Sequence, residues 1–529
     1  MNEKLPAIQQ NSLSRVKSNL DILNKLVIYQ GAIIGNNLIK RLKEFLINHD
    51  EFFIFCVSYF YPLNAGLIQK LMNHLDWRGL SRNISICWSN DLIDSFSNQW
   101  DWINLSENPS LPLSEEFIEK YEDELYFGIL SGNPSLVLSE ELFFTYEDKW
   151  DLRLLAENKS LAFNEKQLER TILNKISSFS NEDFELIFMY LSMNQFLPWT
   201  KDLIDKYAKY WNWNALSKNP KIPFSIELIQ DFIEKWNWNM LSENKSIPWT
   251  NSLINKFESK WNWGLLSGNP ALPWSDQLID QYLPKFEWGG FYYTFYIRDP
   301  KEETSRKSYG LSANEGIPWS QALINKYKDL IDWNLISSNE RIKWTSEFIE
   351  EHKTKLNWKR LSLNKAFPWT IELMEPIQEE MRNKNFNIID YKLFPWHLYH
   401  PENYNDFNLS KNEGLQWSKE LIEYFKNAWD WQSLGKNPSI PWSLEWLEHF
   451  SQHLDWDSIC QNPNVPWTFD FVEKHLENIR RNIDDDSIPM WRSGYNSTRE
   501  PIFNKAIMPL LNDNLIEEIM NSIVDNKNI

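Results

Sequence analysis

Cysteine is scarce and odd in number: Cys56, Cys87 and Cys460 are the only three, and they lie far apart. This excludes a disulfide framework and any Cys-paired zinc spacing, and it predicts free thiols in a reducing compartment. Glycine is also rare, at 15 of 529 residues. No phosphate-cradling Gly loop, G-x-S-x-G elbow or kinase signature occurs. Long apolar runs are missing too. The longest, Phe52 to Leu63, is interrupted by Ser58 and falls short of the ~20 residues that span a bilayer. The opening MNEKLPAIQQNSLSRVKSNL has no signal-peptide layout. A cytoplasmic protein is expected. Positive charge is in deficit, 54 Lys and Arg against 73 Asp and Glu, for a net charge of −19. That balance opposes broad contact with phosphate backbones or anionic lipid, so neither a nucleic acid nor a membrane is expected as partner.

What the chain has in excess is tryptophan, 29 residues, and one asparagine that returns every 25 positions. Asn83, Asn108, Asn133 and Asn158 form one series, and Asn194, Asn219, Asn244 and Asn269 the next. Asn314, Asn339 and Asn364 follow, then Asn412, Asn437 and Asn462. A fixed period of this length marks a solenoid, in which each unit buries its apolar face only against its neighbours. A buried Trp removes about 150–250 Å² from water, so tryptophan at fixed positions reads as a packing device.

The residues from Thr200 to Phe224 show one unit. Thr200 stands where a helix N-cap belongs, and Asp202 falls in the first turn, where negative charge suits the helix dipole. Leu203, Ile204, Tyr207 and Trp211 then follow helical spacing, which predicts a roughly three-turn helix A. Asn212, replaced elsewhere by Asp101, Asp151, Asp430 or Asp455, caps a short helix B carrying Trp213 and Leu216. Asn219–Pro220 ends it, because the residue before proline is pushed out of the helical region. The fold expected is all-α: an α-solenoid of about 14–15 such units, with extended Asn-Pro returns and helical caps. Residues 1–60 read as the N-terminal cap, 61–482 as the repeat array and 483–529 as the C-terminal cap. With units about 10 Å wide the path is on the order of 140 Å. The recurring Asn reads as a turn residue that ties one unit to the next; the functional alternative is a row of amides reading a ligand.

The period breaks three times, with insertions near 165–190, 289–308 and 375–408. All fall between the cap of helix A and the L-S-x-N of helix B. One edge of the stack therefore accepts insertions, which marks either a binding face or a permissive edge. In the first insert Ser180 and Asp183 resemble a capping box, and longer helices are expected there. The second carries Phe291 to Ile297, nearly all aromatic and of strand propensity, then Arg298. The third carries Phe394 to His400. Aromatic and Arg residues concentrate binding energy. Tyr292, Tyr293, Tyr296, Arg298, Trp396, His397, Tyr399 and His400 are accordingly the candidate binding residues. His449 and His453 are four apart on a helix A, a spacing that can hold a metal, but no third ligand is evident. No catalytic residue, metal or cofactor is expected.

The units L-S-G-N-P-A-L-P-W-S (Leu266 to Ser275) and W-D-W-Q-S-L-G-K-N-P-S-I-P-W-S (Trp429 to Ser443) resemble Trp-rich repeat proteins of bacteria and giant viruses. The resemblance covers roughly residues 60–470 and implies a repeat fold without an assigned activity. The function expected is a non-enzymatic scaffold presenting an elongated surface to a protein or peptide. The alternative is a small-ligand or glycan binder using exposed aromatic faces, and after it an enzyme with its site in the inserts.

Overall fold

The computed structural model describes residues 32–158, 165–171, 181–296, 303–374, 409–484 and 499–527. In the unit opening at Thr200, the hydroxyl of that residue accepts the Leu203 N–H at 3.1 Å, and helix A runs Lys201–Lys206. The three-turn helix A expected from periodicity is not formed. It closes after six residues, no longer than helix B, and a turn carries the chain to Trp211. The Trp211 indole N–H donates to the Ile204 carbonyl at 3.2 Å, while Ala208 N–H turns to Asp205 O. Units with Leu125, Phe286 or Ile331 at the position of Trp211 close helix A after the same six residues, so the indole bond accompanies the turn and does not cause it. Trp100, Trp261 and Trp429 make the same bond to Ile93, Ile254 and Ile422. Helix B, Trp213–Lys218, starts where the Asn212 side chain accepts the Ala215 N–H, and stops at Asn219 in extended conformation.

The recurring Asn is a clamp between units. Asn219 donates from Nδ2 to the carbonyls of Ser192 and Asn194, each at 2.9 Å, and accepts the Lys221 N–H on Oδ1. The serine of L-S-x-N is its counterpart: Ser217 Oγ accepts the Asn237 N–H of the following unit at 2.9 Å. The clamp is unbroken across the insertions, as Asn314 reaching back to Ser267 and Asn412 reaching back to Ser362 show. Tryptophans zigzag through the interior. Trp238 meets Trp261 of the next unit edge-on at 4.9 Å, and Trp249 meets the same ring at 4.9 Å. Leu, Ile and aromatic residues join them in one continuous core.

The chain is thus an α-solenoid with one addition. The first insert extends helix B to 13 residues, Asn181–Met193. The second forms an antiparallel ribbon of β1 (Gly290–Tyr296) and β2 (Glu303–Tyr309), with Tyr293 opposite Arg306 and Tyr296 opposite Glu303. The third lies outside the described residues.

Successive B helices lie in close backbone contact, whereas the six-residue A helices rarely do. The B layer is therefore the inner side of a curved stack, and the curve closes. At the start of the chain are α1 (Ala32–Asn48) and α2 (Asp50–Phe60); near its end are α3 (Leu476–Asp484), α4 (Arg499–Ile502) and α5 (Asp513–Lys527). Helix α2 occupies a B position. Its Ser58 Oγ accepts the Asp76 N–H, and its Ser58 and Tyr61 carbonyls accept Asn83 Nδ2 at 2.9 Å. Its other side packs on α3 and α4, which pack on the helix B Trp456–Gln461. In the outer layer α1 sits between the helix A Phe469–Lys474 and α5, and α5 packs on the first helix A, Ala65–Leu71. Phe45 meets Phe469 edge-on at 5.5 Å, Arg41 pairs with Asp470 and Glu473, and Lys70 pairs with Glu517 at 2.6 Å.

An open, elongated stack was expected; the molecule is a ring. Fourteen Asn-ended units, α2 and the α3–α4 pair make sixteen positions, so a rotation of about 22° per position brings the ends together. At 8–10 Å between neighbouring helices, the inner layer has a diameter of roughly 40–50 Å between helix axes.

Candidate functional site

Of the residues singled out in the sequence, Tyr292, Tyr293 and Tyr296 lie on β1. Arg298, Trp396, His397, Tyr399 and His400 lie outside the described residues. Of the two histidines expected on one helix A, His449 ends the helix Leu444–His449 and His453 falls in the turn after it. His449 Nε2 faces Glu423 of the preceding unit at 3.0 Å, and His453 stacks on Trp431 at 5.2 Å. Position 449 is filled by Lys in related units: Lys120, Lys206 and Lys326 reach back to Asp94, Glu169 and Asp280.

A different place departs from the repeat. The units ending on Asn108 and Asn158 cap helix B with Asp101 and Asp151, but the one between them has Tyr126 there. The Tyr126 side chain makes no capping bond to the first-turn N–H groups of the helix B that follows, Phe127–Leu130. Tyr126 is 49% exposed, with Ile103 at 46% and Leu154 at 38% beside it. In most other units the position of Ile103 is polar, as Arg78, Asn214, Asn239, Asn334, Lys359 and Gln432, and in two it is glycine, Gly128 and Gly264. Gly128 adds room, since a Cβ there would meet nothing within 4 Å.

These residues line two adjoining clefts that share Tyr126. One, of about 660 Å³, runs past Phe127, Ile129 and Leu154; the other, of about 440 Å³, lies over Trp102 and Ile103. Their rim is acidic, with Glu122, Asp123 and Glu124 in succession. Glu122 faces Lys149 at 3.8 Å, while no cation pairs with Asp123 or Glu124 among the described residues. Burial, and then the hydrogen bond to Glu122, pushes the Tyr146 hydroxyl up to about 12. Burial also pulls the Asp151 carboxyl upward, but hydrogen bonds from Arg153 and from the Leu154 and Arg153 amides outweigh it and hold the group below its ordinary range. Both clefts lie where the A-to-B turns meet the inner layer, on the edge of the ring that accepts insertions.

Among the exposed large apolar side chains of the described residues, Ile103, Tyr126 and Leu154 meet at these clefts, whereas Ile84, Val137 and Phe196 lie on Asn returns, Met193 ends the long helix B, and Leu330 and Tyr424 stand in later units. Sequence reasoning missed the clefts, although a Tyr in place of the capping Asp or Asn was visible. No family model, curated protein or solved structure matches the chain.

Proposed function

We propose that this chain is a non-enzymatic scaffold, a ring of Trp-rich repeats that holds a protein or peptide partner, and that it works in the cytoplasm without nucleic acid, membrane or cofactor. Kinship with the Trp-rich repeat proteins of bacteria and giant viruses is part of the same proposal. The observation that carries it is the exposed apolar group of Ile103, Tyr126 and Leu154 over two adjoining clefts with an acidic rim. Patches of this kind, rimmed by polar groups, mark interaction sites. A surface held by clamped repeats loses little freedom on association, which favours binding. Tyr292, Tyr293 and Tyr296 of the ribbon, and Arg298, Trp396, His397, Tyr399 and His400 of the inserted sequences, are further contact candidates.

The small-ligand or glycan reading has less support, because it requires exposed indole faces and the repeat tryptophans are buried or half-buried. Among the described residues no helix is long and apolar enough to cross a membrane. Affinity capture from the native cell tests the scaffold reading, using the parent and the triple variant I103N/Y126N/L154N. The parent is expected to retain a reproducible partner and the variant to lose it. Absence of any partner for the parent sinks the reading.

A further inference from the structure

We infer that the Tyr126 clefts are a docking site for a linear peptide carrying an apolar anchor flanked by Lys or Arg. This rests on the scaffold reading and gives it an occupant. The two clefts together have the size of sites that seat a few side chains. Their floor is apolar, formed by Tyr126, Ile103 and Leu154, and Gly128 leaves an open space that an anchor side chain can enter.

Charge decides which peptide. Asp123 and Glu124 are exposed at the rim with no cation paired to them among the described residues, and Asp101 stands at one end; at the other, Asp151 is paired with Arg153 at 3.1 Å and Lys149 with Glu122 at 3.8 Å. The chain as a whole carries −19. An acidic segment would be repelled both at long range and at the rim; a basic one is steered in and paired. The repeat makes the place distinctive. Every other described unit with a full helix B has a polar cap where Tyr126 stands, or in the lengthened helix Asn181–Met193 no cap position at all. The aromatic is a departure that gives up a side-chain cap bond, placed where both clefts meet.

The test uses an array of nonapeptides, each with one Leu, Phe, Met or Trp anchor between three Lys, and the same peptides with three Glu. Two variants remove the site while supporting the fold. Y126N restores the cap that other units carry, and G128L fills the open space with a better helix former. The parent is expected to bind Lys peptides at least ~10-fold more tightly than their Glu twins, and both variants to lose at least ~10-fold. D123N/E124Q should weaken binding at low salt and flatten its salt dependence. Equal binding of Lys and Glu peptides, or full binding by Y126N and G128L, overturns the inference. So does self-association of the parent that Y126N abolishes, which would give the cleft to a second copy. Loss of the inference alone, with a native partner still captured and still lost in the triple variant, leaves the scaffold reading standing.

Discussion

At the residue scale, the recurring Asn does its work with both ends of one amide. Asn219 holds two carbonyls of the previous unit and one N–H of its own. N219A leaves those buried groups without partners and is expected to cost about 3 kcal/mol. Urea unfolding checks this, and a midpoint unchanged from the parent would remove the clamp from the explanation. His352 gives a pH prediction. It lies between Trp333 and Phe348, at 4.7 and 4.6 Å, where Phe257 or Tyr327 stands in other units, and its Nε2 has no hydrogen-bond partner. Burial lowers its pKa; Glu351 opposes this, and Lys355 and Lys328 add to it. The folded value lies below the unfolded one, near 6.5. Its contribution is therefore complete above that value and is lost as pH falls through the folded pKa. H352F should flatten the fall in Tm between pH 7 and 5, as read by circular dichroism. Parallel curves for parent and variant would assign the acid loss to another group. The clamp was legible in the sequence because Asn and its partners recur at one spacing. Tyr126 was equally visible as a letter, but only its exposure distinguishes a cleft from a filled core position.

At the scale of elements, the existence and order of the helices could be read from the period, and the length of helix A could not. Helix A ends after six residues whether Trp211, Leu125, Phe286 or Ile331 stands eleven places after the cap, and the apolar spacing runs on through the turn without recording where the helix stops. Strand propensity marked the aromatic run that forms β1, whereas the charged partner strand β2, its pairing and the ribbon's attachment were not read from the sequence. Gly310 N–H donates to Gly289 O at 2.8 Å and Leu311 N–H to Glu287 O at 2.8 Å, so the ribbon leaves and rejoins the array at one point. Excision of residues 291–308 should leave Tm within a few degrees and the Asn314 clamp intact. A large loss in a thermal melt would show that the ribbon supports the stack. G310A is the opposite case: an added Cβ would fall 2.0 Å from Glu287 O, so backbone has to move, and a loss of about 2 kcal/mol or more is expected.

At the scale of the molecule, closure was hidden because a repeat states what each unit contacts and not the small angle between units. The seam that joins the ends differs from the other junctions. Beside its apolar contacts it carries Arg41 with Asp470 and Glu473, Lys43 with Glu518, and Lys70 with Glu517. Lys43 and Glu518 are 475 residues apart in sequence. In K43C/E518C, a short bis-maleimide is expected to join the two thiols, and the cross-linked peptides to be found by mass spectrometry. Small-angle scattering should show the distance distribution of an annulus. A rod-like profile with no cross-link would return the molecule to an open stack.

An open row of repeats has two tips, and either can peel away one unit at a time. Here each unit has a neighbour on both sides, so sequential unzipping has no starting place. Two separate ruptures are needed before any unit comes free, and resistance to slow mechanical or proteolytic erosion follows from the path of the chain itself, whatever the strength of any single contact.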